Sequence, residues 1–149
     1  MPAEWKVTPP KNDDEYFEQM SRALFQAGLN WTMIKNKWPN FQKAFGKFSI
    51  GKVAKFTDSD VKILMKNEGI VRNERKILSV IANAQECLRV KKDFGSFRNY
   101  INSFGGDHDK LADDLKSRFR HLGDSSTRMF LYMSGIKLKP TKEEMQWHA

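Results

Sequence analysis

The sequence predicts an all-α domain, and three observations carry that prediction. Apolar side chains recur in stripes with a period near 3.6 residues, and capping residues and glycines separate one stripe from the next. No segment alternates apolar and polar residues in the manner of a half-buried strand. At 149 residues, with 40% hydrophobic and 12% aromatic side chains, the chain is expected to form one domain around one core.

The first third of the chain predicts an arm followed by three helices. Residues 1–12 contain three prolines and are expected to be extended, with a polar tail at residues 136–149 as their counterpart. A helix is expected to begin at Asp13, with acidic residues in its first turn, and to end at Gly28. Asn30 is predicted to cap a short helix, and Pro39 to begin a separate one that ends at Gly46.

The middle of the chain predicts further capped helices. Ser49 and Thr57 are expected N-caps, and Thr57 with Asp60 fits a capping box in which aspartate replaces glutamate. The longest helix is predicted over residues 73–92, and Ser96 is expected to cap a short helix after it. The stripe of the longest helix consists of Ile77, Val80, Ile81, Ala84, Cys87 and Leu88.

Residues 115–134 predict a helix, a tight hairpin at residues 120–123 and a second helix opened by Asp124. Gly123 is expected to supply a positive φ, and the start of the second helix presents free N–H groups that suit a phosphate. The basic residues around this point are Lys116, Arg118, Arg120 and Arg128. Two interpretations stay open, a grip on a nucleic-acid backbone and an ordinary helical hairpin with a solvated basic rim.

Charge favours an anionic partner and composition excludes several classes of protein. The net charge is +8 and the pI is about 9.6, with 11 basic and 4 acidic side chains in residues 33–76. The single Cys87 excludes an internal disulfide. No apolar run has the length of a membrane span, and the N-terminus lacks the apolar core of a signal peptide. A cytoplasmic protein, nucleoid-associated if bacterial, is the expectation.

Several short motifs, in one order, resemble the DNA-3-methyladenine glycosylase I family. Residues 26–31 read Q-A-G-L-N-W where the family has Q-A-G-L-S-W, and Glu4-Trp5 is similar to its early E-W pair. G-I-V-R-N at residues 69–73, F-G-S-F at residues 94–97 and R-F-R-H-L-G at residues 118–123 continue the resemblance. The resemblance implies the helix-hairpin-helix glycosylase fold and hydrolysis of the N-glycosidic bond of an alkylated purine in base excision repair.

The resemblance also implies a base pocket and a DNA-binding surface. Trp31, Trp5 and Gln26 match pocket positions, where an indole would stack on a flipped, cationic base. The alternatives are that Trp31 is a core residue and that Trp5 anchors the arm. The implied contacts to the backbone of double-stranded DNA are Arg120, His121, Leu122, Gly123, Ser125, Ser126 and Arg72. A monomer without cofactor is expected.

Two family features are missing from the chain. Ala23 occupies the position of the pocket glutamate, so the catalytic residue is unknown, and Glu18 lies about 140° round the helix from it. Pro140 falls where the family has a zinc-binding histidine, and no cysteine follows it. We therefore expect no structural zinc and no other metal.

Three functions remain open on these residues. The first is a monofunctional glycosylase for cationic bases, which are good leaving groups that a pocket needs mainly to bind and orient. The second is a non-catalytic DNA-binding module or lesion reader, and the third is a protein-interaction domain. Free-base release separates the first from the second, and a steep salt dependence of DNA binding separates both from the third.

Overall fold

A computed structural model describes residues 7–138, and these form an all-α fold without strands. Eight α-helices occur among them, with one 3-10 turn at Gly46–Phe48. The helices are α1 (Asp13–Gln26), α2 (Trp31–Ala44), α3 (Ile50–Val53), α4 (Asp58–Met65), α5 (Glu74–Phe94), α6 (Phe97–Asn102), α7 (His108–Arg118) and α8 (Asp124–Met133). The prediction of an all-α fold is confirmed.

The α1 helix is the centre of the molecule. It packs against α2, α3, α5, α6 and α8, and most of its second half is buried. Its acidic start also caps two other helices, since Asp13 accepts from the Phe97 N–H (3.0 Å) and Asp14 accepts from the Ile50 N–H (3.0 Å). The carboxylates that suit the dipole of α1 therefore also fix the starts of α6 and α3.

Most predicted caps are confirmed by the side-chain hydrogen bonds that define them. Asn30 accepts from the Met33 N–H (3.1 Å), and Ser49 accepts from the Lys52 N–H (3.4 Å). The capping box between Thr57 and Asp60 is present. These caps fix the points at which the short middle helices begin.

Two predictions about the helices are wrong. Pro39 does not begin a new helix but lies inside α2, because Trp38 and Phe41 on either side of it pack into one aromatic cluster and hold a single axis. Leu88 belongs to the predicted apolar stripe of α5 but is 43% exposed. At Pro39, tertiary packing outweighs the local preference of proline for a helix start. At Leu88, the buried face of α5 is narrower than the apolar pattern suggests.

The described ends of the chain are attached to the last two helices, the N-terminal end to α8 and the C-terminal end to α7. The Thr8 N–H donates to Met133 O (2.8 Å) and Pro10 is buried, so this part of the predicted arm is attached to the fold although its other side chains are exposed. His108 bonds Lys137 O through Nδ1 (2.7 Å), which holds the beginning of the predicted tail. Trp5 and Pro140 lie outside the described residues. Within residues 7–138, no helix has the length and apolar character that a membrane span requires.

Candidate nucleic-acid interface and base pocket

The hairpin between α7 and α8 is anchored by apolar residues and displays polar ones. Phe119 ends α7 and is buried, and Leu122 is buried three residues later. Arg120 and His121 lie between these two anchors and are exposed. The predicted contact residue Leu122 therefore offers only backbone groups to a ligand.

Asn83 on α5 fixes the backbone of the hairpin. Its Nδ2 donates to Arg120 O (3.0 Å), and its Oδ1 accepts from the Arg120 N–H (2.7 Å). The side chain is 1% exposed, so this amide is a buried double clamp on the backbone N–H and C=O of one residue. Sequence reasoning missed this role, although a polar residue beside the apolar stripe of α5 was a visible signal of a buried hydrogen bond.

His121, and not Gly123, adopts the left-handed conformation. His121 has φ 60°, whereas Gly123 is extended at φ −88°, so the prediction for Gly123 is wrong. The physical reason lies in α5, because His121 Nδ1 bonds Ser79 Oγ (3.1 Å) and the Asn83 clamp holds the preceding residue. Ser79 Oγ donates its only proton to Arg75 O (2.8 Å), so Nδ1 of His121 carries the proton in their bond.

Although His121 is exposed as a residue, the neighbouring atoms partly desolvate its ring and lower its pKa, and the nearby charges of Arg75 and Lys76 lower it further. The neutral ring with a proton on Nδ1 leaves Nε2 as an acceptor. Only the protonated ring can donate from Nε2 to an anion. The charge of the hairpin is therefore sensitive to pH.

The first turn of α8 is open to solvent beside the hairpin. Gly123 is its N-cap and offers no side chain, so the first N–H groups of the helix have no partner within it. Ser125 is exposed, but Ser126 is 6% exposed and its hydroxyl is largely inside. Such a turn attracts anions through its N–H groups and dipole.

Two of the four predicted cations around α8 are engaged in ion pairs. Lys116 pairs with Asp124 (2.7 Å), which lowers the pKa of that carboxyl group. Arg118 pairs with Asp114 (2.7 Å) and Glu86 (3.2 Å). Arg120 retains an exposed guanidinium on the hairpin itself.

The turn between α4 and α5 forms a second exposed loop. Arg72 is exposed there, directly before the N-cap Asn73. The turn is pinned to α2, because Asn40 Nδ2 donates to Gly69 O (3.1 Å). A Cβ on Gly69 would lie 3.1 Å from side-chain atoms of Asn40 and Asn67, so a larger residue would have to displace these side chains.

The predicted pocket residues lie where α1 ends and α2 begins. Trp31 is the first residue of α2, is half-buried and packs against the core. Gln26 is 2% exposed, and its Oε1 has no hydrogen-bond partner. Ala23 is fully buried one turn before it. This end of α1 therefore holds an indole and an unused acceptor but no carboxylate at position 23.

Lys76 supports this end of α1 and was missed by sequence reasoning as a contact. Its Nζ donates to Ala27 O (2.9 Å) and Phe25 O (3.3 Å), which are carbonyl groups left free where the helix ends. The lysine is 8% exposed, and burial lowers its pKa. Thus α5 holds both the hairpin and the pocket end of α1.

No group of three or more metal-ligating side chains converges within residues 7–138. The zinc prediction also concerns Pro140, which lies outside this range. The absence of structural zinc stays a prediction.

Comparisons with known proteins converge on one family. The methyladenine glycosylase family matches residues 2–134. DNA-3-methyladenine glycosylase of Haemophilus influenzae is 30% identical over 107 residues, which are 72% of this chain and 57% of that protein. DNA-3-methyladenine glycosylase 1 of Escherichia coli is 33% identical over 101 residues, 68% of this chain and 54% of that protein. The chain thus aligns with little more than half the length of either relative.

Solved structures give the same result for the fold. A variant of 3-methyladenine DNA glycosylase I in complex with 3-methyladenine superposes with a TM-score of 0.79 at 25% identity, covering 93% of this chain and 87% of that one. The enzyme from Staphylococcus aureus has a TM-score of 0.79 at 26% identity, covering 88% of this chain and 80% of that one.

Proposed function

Because this chain belongs to the methyladenine glycosylase family, we propose that it is a monofunctional DNA glycosylase that releases 3-methyladenine or a similar cationic alkylpurine from double-stranded DNA. It would act in base excision repair, as an intracellular monomer without cofactor. The observation that carries the proposal is the clamped hairpin, whose exposed Arg120 stands beside the open first turn of α8.

The DNA backbone would bind along the hairpin and the turn before α5. N–H groups at Gly123, Ser125 and Ser126 would bind a phosphate, and Arg120 and Arg72 would add charge on either side. Each phosphate contact releases condensed counterions, so binding should weaken steeply with salt. Arg120→Ala and Arg72→Ala should each reduce the slope of log K against log salt by about 1.

The flipped base would stack on Trp31 and direct an N–H donor to Gln26 Oε1. An indole face attracts a cationic base, and the buried acceptor gains the hydrogen bond that it lacks. Water would then attack C1′ of the sugar, and the electron pair of the breaking N-glycosidic bond would neutralise the departing base. The water proton passes to solvent, so the step requires no acid to protonate the leaving group.

Ala23 favours a second candidate, a lesion reader that binds and flips the base without cutting. A methyl group at this position can neither orient water nor stabilise a developing cation. Neutral bases would be stable in such a pocket, because they leave only with a positioned acid or base.

Release of free 3-methyladenine from methylated duplex DNA distinguishes the two candidates. A glycosylase releases the base, loses release with Trp31→Ala, keeps part of it with Trp31→Phe, and binds undamaged DNA almost equally in all three forms. Salt-sensitive binding of the same DNA without any release identifies the reader. Release that does not change with Trp31→Ala contradicts the pocket assignment.

A further inference from the structure

A cleft of about 680 Å³ lies at the far end of α2 from Trp31. It is lined by residues from α1, α2, the 3-10 turn and α3, including Lys43 near the C-terminus of α2. Twelve residues separate Trp31 from Lys43 along one helix, which corresponds to about 18 Å at 1.5 Å per residue. The cleft is therefore distinct from the proposed base pocket.

Three lysines from three different elements converge on this cleft. Lys43 comes from α2, Lys47 from the 3-10 turn and Lys52 from α3. All three are exposed, and none forms an ion pair with an acidic side chain of residues 7–138. Three ammonium groups around one concavity repel each other and attract an anion.

The backbone fixes the lysines around the cleft. Gly46, Lys47 and Phe48 have consecutive positive φ values of 58°, 58° and 55°. Phe48 anchors this turn, because its fully buried ring stacks on Trp38 at 5.1 Å. The stem of Lys52 lies against Gly46, with Cδ 3.3 Å from the position that a Cβ would take there. Lys47 is exposed on a turn whose next residue is anchored in the core.

Among the described residues that line the cleft, Glu18 is the one carboxylate, and its Oε2 is already hydrogen-bonded. Glu18 Oε2 accepts from Trp38 Nε1 (2.8 Å) and from Gln42 Nε2 (2.8 Å). Arg22 interacts electrostatically with Glu18 from the same helix and offsets its charge. Donors from an indole and an amide leave the carboxylate ionised, so the cleft is lined by three lysines against one glutamate, and this positive excess suits a dianion such as a phosphate monoester.

We propose that this cleft binds a phosphate monoester of nucleotide size. The volume lies within the range of about 300–1,000 Å³ that small-molecule sites occupy, and a phosphate ion would fill only a small part of it. A free nucleotide and the 5′-phosphate at the end of a DNA strand offer the same dianionic group. The site is independent of the proposed glycosylase activity, which uses other residues.

Calorimetric titration of the full chain with adenosine 5′-monophosphate tests the site. The nucleotide should bind at least tenfold tighter than adenosine or inorganic phosphate, and Lys47→Gln/Lys52→Gln should weaken it at least tenfold. Lys62→Gln/Lys110→Gln removes the same charge from exposed positions outside the cleft and should leave the affinity unchanged. Equal affinity for all three ligands, or equal loss in both double variants, overturns the proposal.

Duplexes with 5′-phosphate or 5′-hydroxyl ends identify the source of the phosphate. A gain in affinity from the 5′-phosphate that disappears in Lys47→Gln/Lys52→Gln assigns the cleft to DNA ends. Nucleotide binding without such a gain assigns the cleft to free nucleotides. If the chain shows neither nucleotide binding nor a gain from the 5′-phosphate, the proposed site is overturned. Base release and binding of 5′-hydroxyl duplex should be unchanged in the cleft variant, so failure here is distinguishable from failure of the proposed function.

Discussion

The hairpin and the pocket end of α1 are supported by the same helix but differ in how their polar groups are satisfied. At the hairpin, each polar side-chain atom of Asn83 and Ser79 has a hydrogen-bond partner. At the pocket end, Lys76 satisfies the end of α1, while Gln26 Oε1 remains buried and unpartnered. The first arrangement stabilises a shape, and the second leaves an acceptor that costs stability in the free protein until a water or a ligand donates to it.

The largest effect is expected from replacing Asn83, which holds the hairpin. Asn83→Ala removes both clamp bonds, and we expect a loss of about 2 kcal/mol in the free energy of unfolding, with weaker DNA binding because the hairpin is released. Urea denaturation and duplex titration measure the two effects. Asn102→Ala, at an exposed asparagine, is the control and should change neither quantity. Full DNA affinity in Asn83→Ala would show that the clamp does not shape the binding surface.

At the pocket end, replacing Lys76 should cause a smaller loss of stability than replacing Asn83 at the hairpin. Lys76→Met keeps the apolar stem but leaves Phe25 O and Ala27 O without their charged donor, so we expect a loss of about 1.5 kcal/mol in unfolding free energy. Base release should fall as well, because Gln26 lies between those two carbonyl groups and Trp31 follows them in the chain. Lys62→Met replaces an exposed lysine and should be neutral in both assays. Unchanged stability in Lys76→Met would mean that burial of the charge costs as much as its bonds contribute.

Much of this arrangement could be predicted from neighbouring residues in the sequence, and the parts that could not are contacts over long distances. The caps at Asn30, Ser49 and Thr57 involve residues three apart, and their predictions are confirmed. The Asn83 clamp joins residues 37 apart, and no local pattern contains its partner. The left-handed residue of the hairpin was misplaced for the same reason, since bonds from α5 select His121 over the glycine that propensity favours.

The candidate site follows the same division. Family motifs were sufficient to select Trp31 and Gln26, whose roles in binding stay predictions. Asp114 lies four residues before Arg118 on the same helix, so that ion pair could be predicted from the sequence. The bonds of Arg118 to Glu86, 32 residues away, and of Lys116 to Asp124, across the hairpin, could not. Charge counts therefore overstate the cations available to DNA, and ion pairing decides which of them remain.

Gln26→Leu sharpens the contrast, because here the free protein should gain stability. Removing a buried, unpartnered acceptor should raise the free energy of unfolding by about 1 kcal/mol. The same change should slow base release, since the flipped base loses its acceptor. Thr127→Val is the matched control, because Thr127 Oγ1 is also buried without a partner but lies on α8. It should stabilise the fold and leave release unchanged; slowed release in both variants would indicate a general effect of rigidity.

The smallest expected effect is the pH dependence of the hairpin. Partial desolvation and the charges of Arg75 and Lys76 hold the pKa of His121 below its usual value of about 6.5, so the ring is neutral at pH 8 and gains a proton only as the pH falls below that value. Protonation turns Nε2 into a donor and adds a positive charge beside the DNA, so duplex affinity should rise about threefold between pH 7.5 and pH 5.5, within the range for one exposed charge contact. Folding stability should change in the opposite direction, because the unfolded chain binds this proton more readily. His121→Asn retains a residue type that tolerates positive φ and should remove the pH dependence of affinity, whereas a pH effect that persists in this variant would belong to another group.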